Sequence, residues 1–109
     1  MTSNKVFKAL ADPTRRRVLE LLRDGARTAG ELSDHFPVSK PTMSAHFSVL
    51  QEAGLIEAEK EGRTIYYRVR LSVLEDALLG FAGALGIGAA ASGVKRPAQG
   101  RSTLRRREA

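Results

Sequence analysis

The sequence predicts a mainly α-helical domain carrying one β-hairpin before its last helix, and three observations carry that prediction. Asp12 to Gly25, Thr28 to Pro37 and Ser39 to Gly54 each open on a capping residue and close on Gly or Pro. Between Leu55 and Arg70 the apolar period then shortens from about 3.6 residues to about 2. A further capping spacing, Ser72 with Glu75, follows the hairpin. At 109 residues and 42% hydrophobic, the chain supports one buried core, alone or with a tail.

The elements follow in order. Met1 to Lys8 is mostly polar with an apolar pair at Val6 and Phe7, and forms a short first helix. It lacks the apolar run of a signal peptide, so a cytoplasmic location is expected. Asp12 offers its carboxylate to orphan helix amides and Pro13 is preset for a first turn, which starts the second helix. Val18, Leu21 and Leu22, with Leu19 beside them, give that helix one apolar face, and Gly25 supplies its stop. Thr28 and Glu31 have the spacing of a capping box and open a third helix through Leu32 towards Phe36, interrupted by Pro37. Ser39 caps a fourth, with Pro41 in its first turn and Met43, Phe47 and Leu50 at i, i+4 and i+7; Gly54 ends it.

Leu55 to Glu61 and Arg63 to Arg70 are β-rich runs around a Gly-bearing turn, with Ile65, Tyr67 and Val69 on one face, and they read as a hairpin. Ser72 and Glu75 start a last helix carrying Val73, Leu74, Ala77, Leu78 and Phe81. The order is α-α-α-α-β-β-α. Residues 1–86 are expected to form one domain, and residues 87–109, first Gly/Ala-rich and then basic, a flexible tail.

Two short helices joined by a tight turn and followed by a hairpin make a winged helix-turn-helix, whose second helix enters the major groove of DNA. With Met43, Phe47 and Leu50 facing inward, Lys40, Pro41, Thr42, Ser44, Ala45, Ser48 and Gln51 face outward, and no carboxylate precedes Glu52. Short hydroxyl groups let a helix approach base edges closely, whereas a carboxylate there would be repelled by phosphates. Helix N-terminal amides add a partial positive charge.

Phe7-Lys8-Ala9-Leu10-Ala11-Asp12-Pro13-Thr14-Arg15-Arg16-Arg17 resembles the opening of ArsR-type winged-helix repressors. So do Val38 to Phe47, Ala53-Gly54-Leu55-Ile56 and the wing Glu61-Gly62-Arg63-Thr64-Ile65-Tyr66-Tyr67. The similarity runs from about Val6 to Leu78 and is greatest to a cysteine-free autorepressor branch, the SdpR-like group. It implies a bacterial homodimer held by the first and last helices, here Val6, Phe7, Leu74, Leu78 and Phe81, repressing transcription from an imperfect inverted repeat. By motif position, Lys40, Pro41, Thr42, Ser44 and Ala45 are groove-facing and Arg63 is the wing contact; Ser39, His46, Ser48 and Gln51 complete the set assigned to DNA. The family often has a second histidine where Ala45 stands, a departure at one reading position. For His46, between Met43 and Leu50, a hydrogen-bonded structural role and a DNA contact are both open. Arg15-Arg16-Arg17 reads as a solvated helix face more than a phosphate contact, Tyr66-Tyr67 as packing that closes the hairpin more than stacking on bases, and Glu57, Glu59 and Glu61 as an acidic wing.

Other functions have less to stand on. The chain has no cysteine, which removes disulfides, thiolate metal sites and a cysteine nucleophile together. Glu75 and Asp76 on the last helix are adjacent and point about 100° apart, so no metal or cofactor is expected. That leaves a constitutive repressor, or one released by a protein or small-ligand inducer. No nucleotide-binding glycine fingerprint or phosphate loop argues for an enzyme. Ala77 to Val94 lacks charge, but five Gly and six Ala among its 18 residues make it a poor membrane anchor. A winged helix that binds only protein would show an apolar patch on its fourth helix, and the outward residues are polar. The formal charge of +6 is unevenly placed: residues 95–109 hold net +5, and the 94 before them only net +1. DNA binding therefore rests on the helix pattern, with the basic tail either an added source of phosphate contacts or a solubilising segment.

Overall fold

In the computed structural model, which describes residues 2–87, helix ends fall where backbone polar groups find partners. After α1 (Thr2–Leu10), the Asp12 carboxylate accepts from the backbone N–H of Thr14 at 2.7 Å and of Arg15 at 3.2 Å. That cap, with Pro13 behind it, starts α2 (Pro13–Leu21). A single 3-10 turn, Leu22–Asp24, continues the chain to Gly25. A two-residue strand, β1 (Arg27–Thr28), leads into α3 (Ala29–Ser33). There the Thr28 hydroxyl accepts from the Glu31 N–H at 3.0 Å while the Glu31 carboxylate accepts from the Thr28 N–H at 2.9 Å, the reciprocal capping box that the spacing predicts.

α3 stops short of Phe36. The N–H groups of His35 and Phe36 donate to the Leu32 and Ser33 carbonyls, three residues back, so the helix unwinds into tight turns ahead of Pro37. Steric conflict with a following proline ring disfavours helical backbone, which explains the early end.

Ser39 caps α4 (Lys40–Glu52) by accepting from the Thr42 N–H at 3.3 Å. At the other end Gly54 donates to the Gln51 carbonyl at 2.9 Å and Leu55 to the Leu50 carbonyl at 3.0 Å. This is a Schellman arrangement, and it needs the φ of +77° that Gly54 adopts without strain. Leu50 and Leu55 are both buried against the turn so formed.

β2 (Ile56–Glu61) and β3 (Thr64–Val69) pair antiparallel, from Ile56 opposite Val69 to Glu61 opposite Thr64. Gly62 and Arg63 form the two-residue turn, with Gly62 at the positive φ that such hairpins require. The sheet has a third member that sequence patterning did not reveal. β1 pairs with the free edge of β3, Arg27 opposite Tyr67, giving the order β1-β3-β2. Two residues are too few to show a period. α5 (Leu71–Ala84) begins one residue before Ser72, so Ser72 lies inside its first turn and does not cap it.

The chain divides into two compact units, Met1–Leu74 and Glu75–Ala109. The first holds Leu22, Leu32, Met43, Leu50, Leu55, Val6 and Val18 as its largest fully buried side chains. In the second, Ala77 is buried while Leu78, Leu79, Phe81 and Leu85 are exposed. Among the described residues no helix is long and apolar enough to cross a membrane. Residues 88–94 of the uncharged segment and the basic stretch after them lie outside the described residues.

The Asp12 cap has a pH signature. Desolvation raises its carboxyl, but the N–H groups of Arg15 and Thr14, with the positive charge of Arg15 nearby, outweigh this and hold it below the ordinary 3.8. Its stabilisation is complete above that ordinary value and is lost as pH falls through the lower folded one. Asp12→Asn keeps a capping side chain without the charge. Urea midpoints of wild type and variant should differ at neutral pH and converge in acid; a gap independent of pH would show that the charge contributes nothing.

Candidate nucleic-acid interface

Met43, Phe47 and Leu50 are 0%, 4% and 0% exposed, which fixes the inner face of α4. Phe47 stacks on Tyr67 of β3 with ring centroids 4.7 Å apart and planes tilted by 33°. Such a pair contributes about 0.5–1.5 kcal/mol beyond its buried area. Burial pushes the Tyr67 hydroxyl above its usual 10.0, so it packs as a neutral ring. Tyr66, on the opposite face of the hairpin, is half-buried.

The outer half of α4 is then determined. Lys40, Pro41, Thr42, Ser44, Ala45, Ser48 and Gln51 are all exposed, as is Ser39 ahead of them. The Ser39 hydroxyl accepts from the Thr42 backbone and donates its own proton to Thr42 Oγ1 at 2.9 Å. A hydroxyl carries one donor and two acceptor sites, so the Thr42 proton stays available to a partner outside the helix. The surface offers hydroxyl, amide and ammonium groups, with its one carboxylate, Glu52, in the last position of the helix.

His46 stands apart from this set. It is half-buried, and its Nδ1 lies 3.1 Å from Arg15 Nη1. Arg15 also donates from Nε to the Ala9 carbonyl at 2.7 Å and from Nη2 to the Lys8 carbonyl at 3.1 Å. Arg16 donates to the Leu10 carbonyl at 2.7 Å, and Arg17 pairs with Glu20 at 3.0 Å. Arg16 and Arg17 are exposed, as a solvated face requires, whereas Arg15 is half-buried. Arg15 and Arg16 satisfy the open carbonyls of the α1 C-terminus, where positive charge is also favoured by the helix dipole.

At the wing, Arg63 is exposed in the hairpin turn. The acidic character read from Glu57, Glu59 and Glu61 is reduced by cross-strand pairing. Glu57 lies 3.5 Å from Arg70 and Glu59 3.8 Å from Arg68. These exposed pairs contribute little stability, but they cancel charge on that face. The strand register creates them.

The residues assigned to dimerisation separate. Val6 is fully buried on the inner side of α1 together with Ala9, so it has no surface to offer another chain, and its place in that set is corrected. Phe7 and Leu74 are half-buried, and Leu78 and Phe81 are exposed. Among the described residues no three His, Asp or Glu side chains gather closely enough to hold a metal ion. The link from Arg15 to His46 spans 31 positions, and no local spacing announces it.

A family profile described as a helix-turn-helix domain matches residues 10–59. The transcriptional repressor SdpR of Bacillus subtilis strain 168 is 45% identical over 75 residues, which covers 69% of this chain and 83% of that protein. A crystal structure of an ArsR family transcriptional regulator superposes with a TM-score of 0.73 at 32% identity, over 78% of this chain and 87% of that one. The homodimeric winged helix-turn-helix DNA-binding domain of a Mycobacterium bovis protein superposes with a TM-score of 0.63 at 32% identity, over 76% of this chain and 78% of that one.

Ser39→Ala removes both the cap and the hydroxyl contact to Thr42. It should lower unfolding stability by about 1 kcal/mol, and Ser39→Asp, which caps equally well, should restore it. Urea denaturation of both variants measures this; equal losses would show that the loss does not come from the cap.

Proposed function

The chain belongs to the ArsR family of winged helix-turn-helix transcriptional regulators, and from that premise we propose that it is a DNA-binding repressor acting as a homodimer on an imperfect inverted repeat. The exposed outer face of α4 carries the reading: it is mostly polar, without a large apolar side chain, and free of carboxylates up to Glu52. Lys40, Thr42 and Ser44 make direct contacts to base edges. Ser39, Pro41, Ala45, Ser48 and Gln51 line the approach, His46 flanks it, and Arg63 reaches the backbone from the wing. Repression is steric, the dimer occupying promoter DNA in the cytoplasm.

Dimerisation is supported by the apolar side chains Leu78, Leu79, Phe81 and Leu85 left exposed on and just after α5. The Mycobacterium bovis relative is itself homodimeric. Pairing through the first and last helices sets two reading helices in successive major grooves, about 34–36 Å apart. With no cysteine in the chain, any inducer acts without a thiolate ligand. The basic residues from Lys95 to Arg107 add sequence-independent phosphate contacts.

Fluorescence anisotropy with the DNA upstream of its own coding region, against random duplex of equal length, tests the reading. Wild type should prefer the upstream DNA and weaken steeply with salt. Thr42→Ala with Ser44→Ala should leave folding and assembly intact while removing about 1–3 kcal/mol of preference per lost contact. Unchanged preference would reassign the reading surface. Leu74→Ala with Leu78→Ala should shift the protein to a monomer on sizing and weaken operator binding; an unchanged dimer would place the interface elsewhere.

A further inference from the structure

Arg15 holds two carbonyls of α1 and one nitrogen of His46 with a single guanidinium group. A guanidinium has only donors and stays protonated, so the contact at 3.1 Å requires His46 Nδ1 to supply a lone pair. The imidazole is then neutral, with its proton on Nε2. The ring orientation is set as well. Turning the ring over would place a carbon opposite Arg15 Nη1, and carbon cannot accept. The donating atom is itself immobilised, because Nε and Nη2 are bound to Ala9 and Lys8 at 2.7 and 3.1 Å.

What remains is the Nε2–H. Among the described residues it has no intramolecular partner, although His46 is half-buried. His46 follows Thr42 by one turn and lies on the same flank of α4. A half-buried N–H without a protein partner is left to water or to an acceptor that arrives with a ligand.

We propose that Arg15 is a positioning residue for the reading helix, fixing His46 as a hydrogen-bond donor that meets an acceptor oxygen or nitrogen on DNA. The proposal rests on the DNA-binding reading above. It divides the labour between the two residues: His46 makes the contact and Arg15 acts only through it. The recognised chemistry is an unprotonated acceptor, either a phosphate oxygen or a purine N7.

The test is a double-mutant cycle with Arg15→Ala, His46→Leu and the two combined, joined by His46→Gln, whose carbonyl can accept from Arg15 while its amide donates outward. The probes are the duplex footprinted by wild type and a random duplex of equal length. Each single variant should weaken binding roughly tenfold, and the double variant no further. His46→Gln should retain most of the affinity. Loss on both duplexes identifies a phosphate acceptor, and loss confined to the footprinted duplex a base. Imidazole 15N spectra of the free protein should show the proton of His46 on Nε2, with Arg15→Ala allowing both tautomers. Additive losses, failure of His46→Gln, or a proton on Nδ1 in wild type would overturn the proposal. Should Arg15→Ala not fold, the contrast of His46→Gln with His46→Leu and the wild-type spectrum decide it. Wild type that binds neither duplex overturns the DNA-binding reading, and the proposal with it, whereas additive losses in a wild type that binds overturn the proposal alone.

Discussion

One-sided burial of α4 governs what the rest of the molecule can present. Met43, Phe47 and Leu50 are withdrawn from water along one face, and each such side chain contributes roughly 1.5–3 kcal/mol relative to exposure. Rotating the helix by one residue, about 100°, would expose them and bring Lys40 or Ser44 into the core. No contact on the outer face is strong enough to offset that. The stack of Phe47 on Tyr67 and the caps at Ser39 and Gly54 fix where the helix starts, where it ends and which strand supports it. The exposed row is thus a consequence of the buried one.

Charge is deployed unevenly around this frame. Arg15 and Arg16 complete the carbonyl end of α1, Arg17 pairs with Glu20, and Arg68 and Arg70 pair with wing glutamates. Cations that look like one binding surface in one dimension are in large part paired or hydrogen-bonded within the protein in three. Lys40 and Arg63 are exposed at the start of α4 and the tip of the wing. A net charge of only +1 over the first 94 residues suits recognition by positioned hydrogen bonds more than by bulk attraction.

The Arg15 cross-link also joins α1 to α4 directly. The half-buried imidazole lies against a donor that is itself tied to the end of α1, so one guanidinium bonds to both helices.

The sequence by itself determined where helices begin and end, because capping is a local exchange between a side chain and amides two or three residues away. Asp12, the Thr28–Glu31 box and Ser39 all do in space what their spacing announces. Periodicity likewise determined the inner face of α4, since a buried stripe must repeat with its helix, and it located the hairpin, although of Ile65, Tyr67 and Val69 only Tyr67 is buried and Ile65 is exposed. Ser72 misled because the same spacing occurs inside a first turn as well as before one. Tertiary structure alone decided the third strand, the pairing of the wing glutamates, the burial of Val6 and the bond from Arg15 to His46. Each depends on groups brought together by packing from distant points of the chain. Hydrogen bonds and ion pairs need particular distances and directions, which a linear order of residues does not contain.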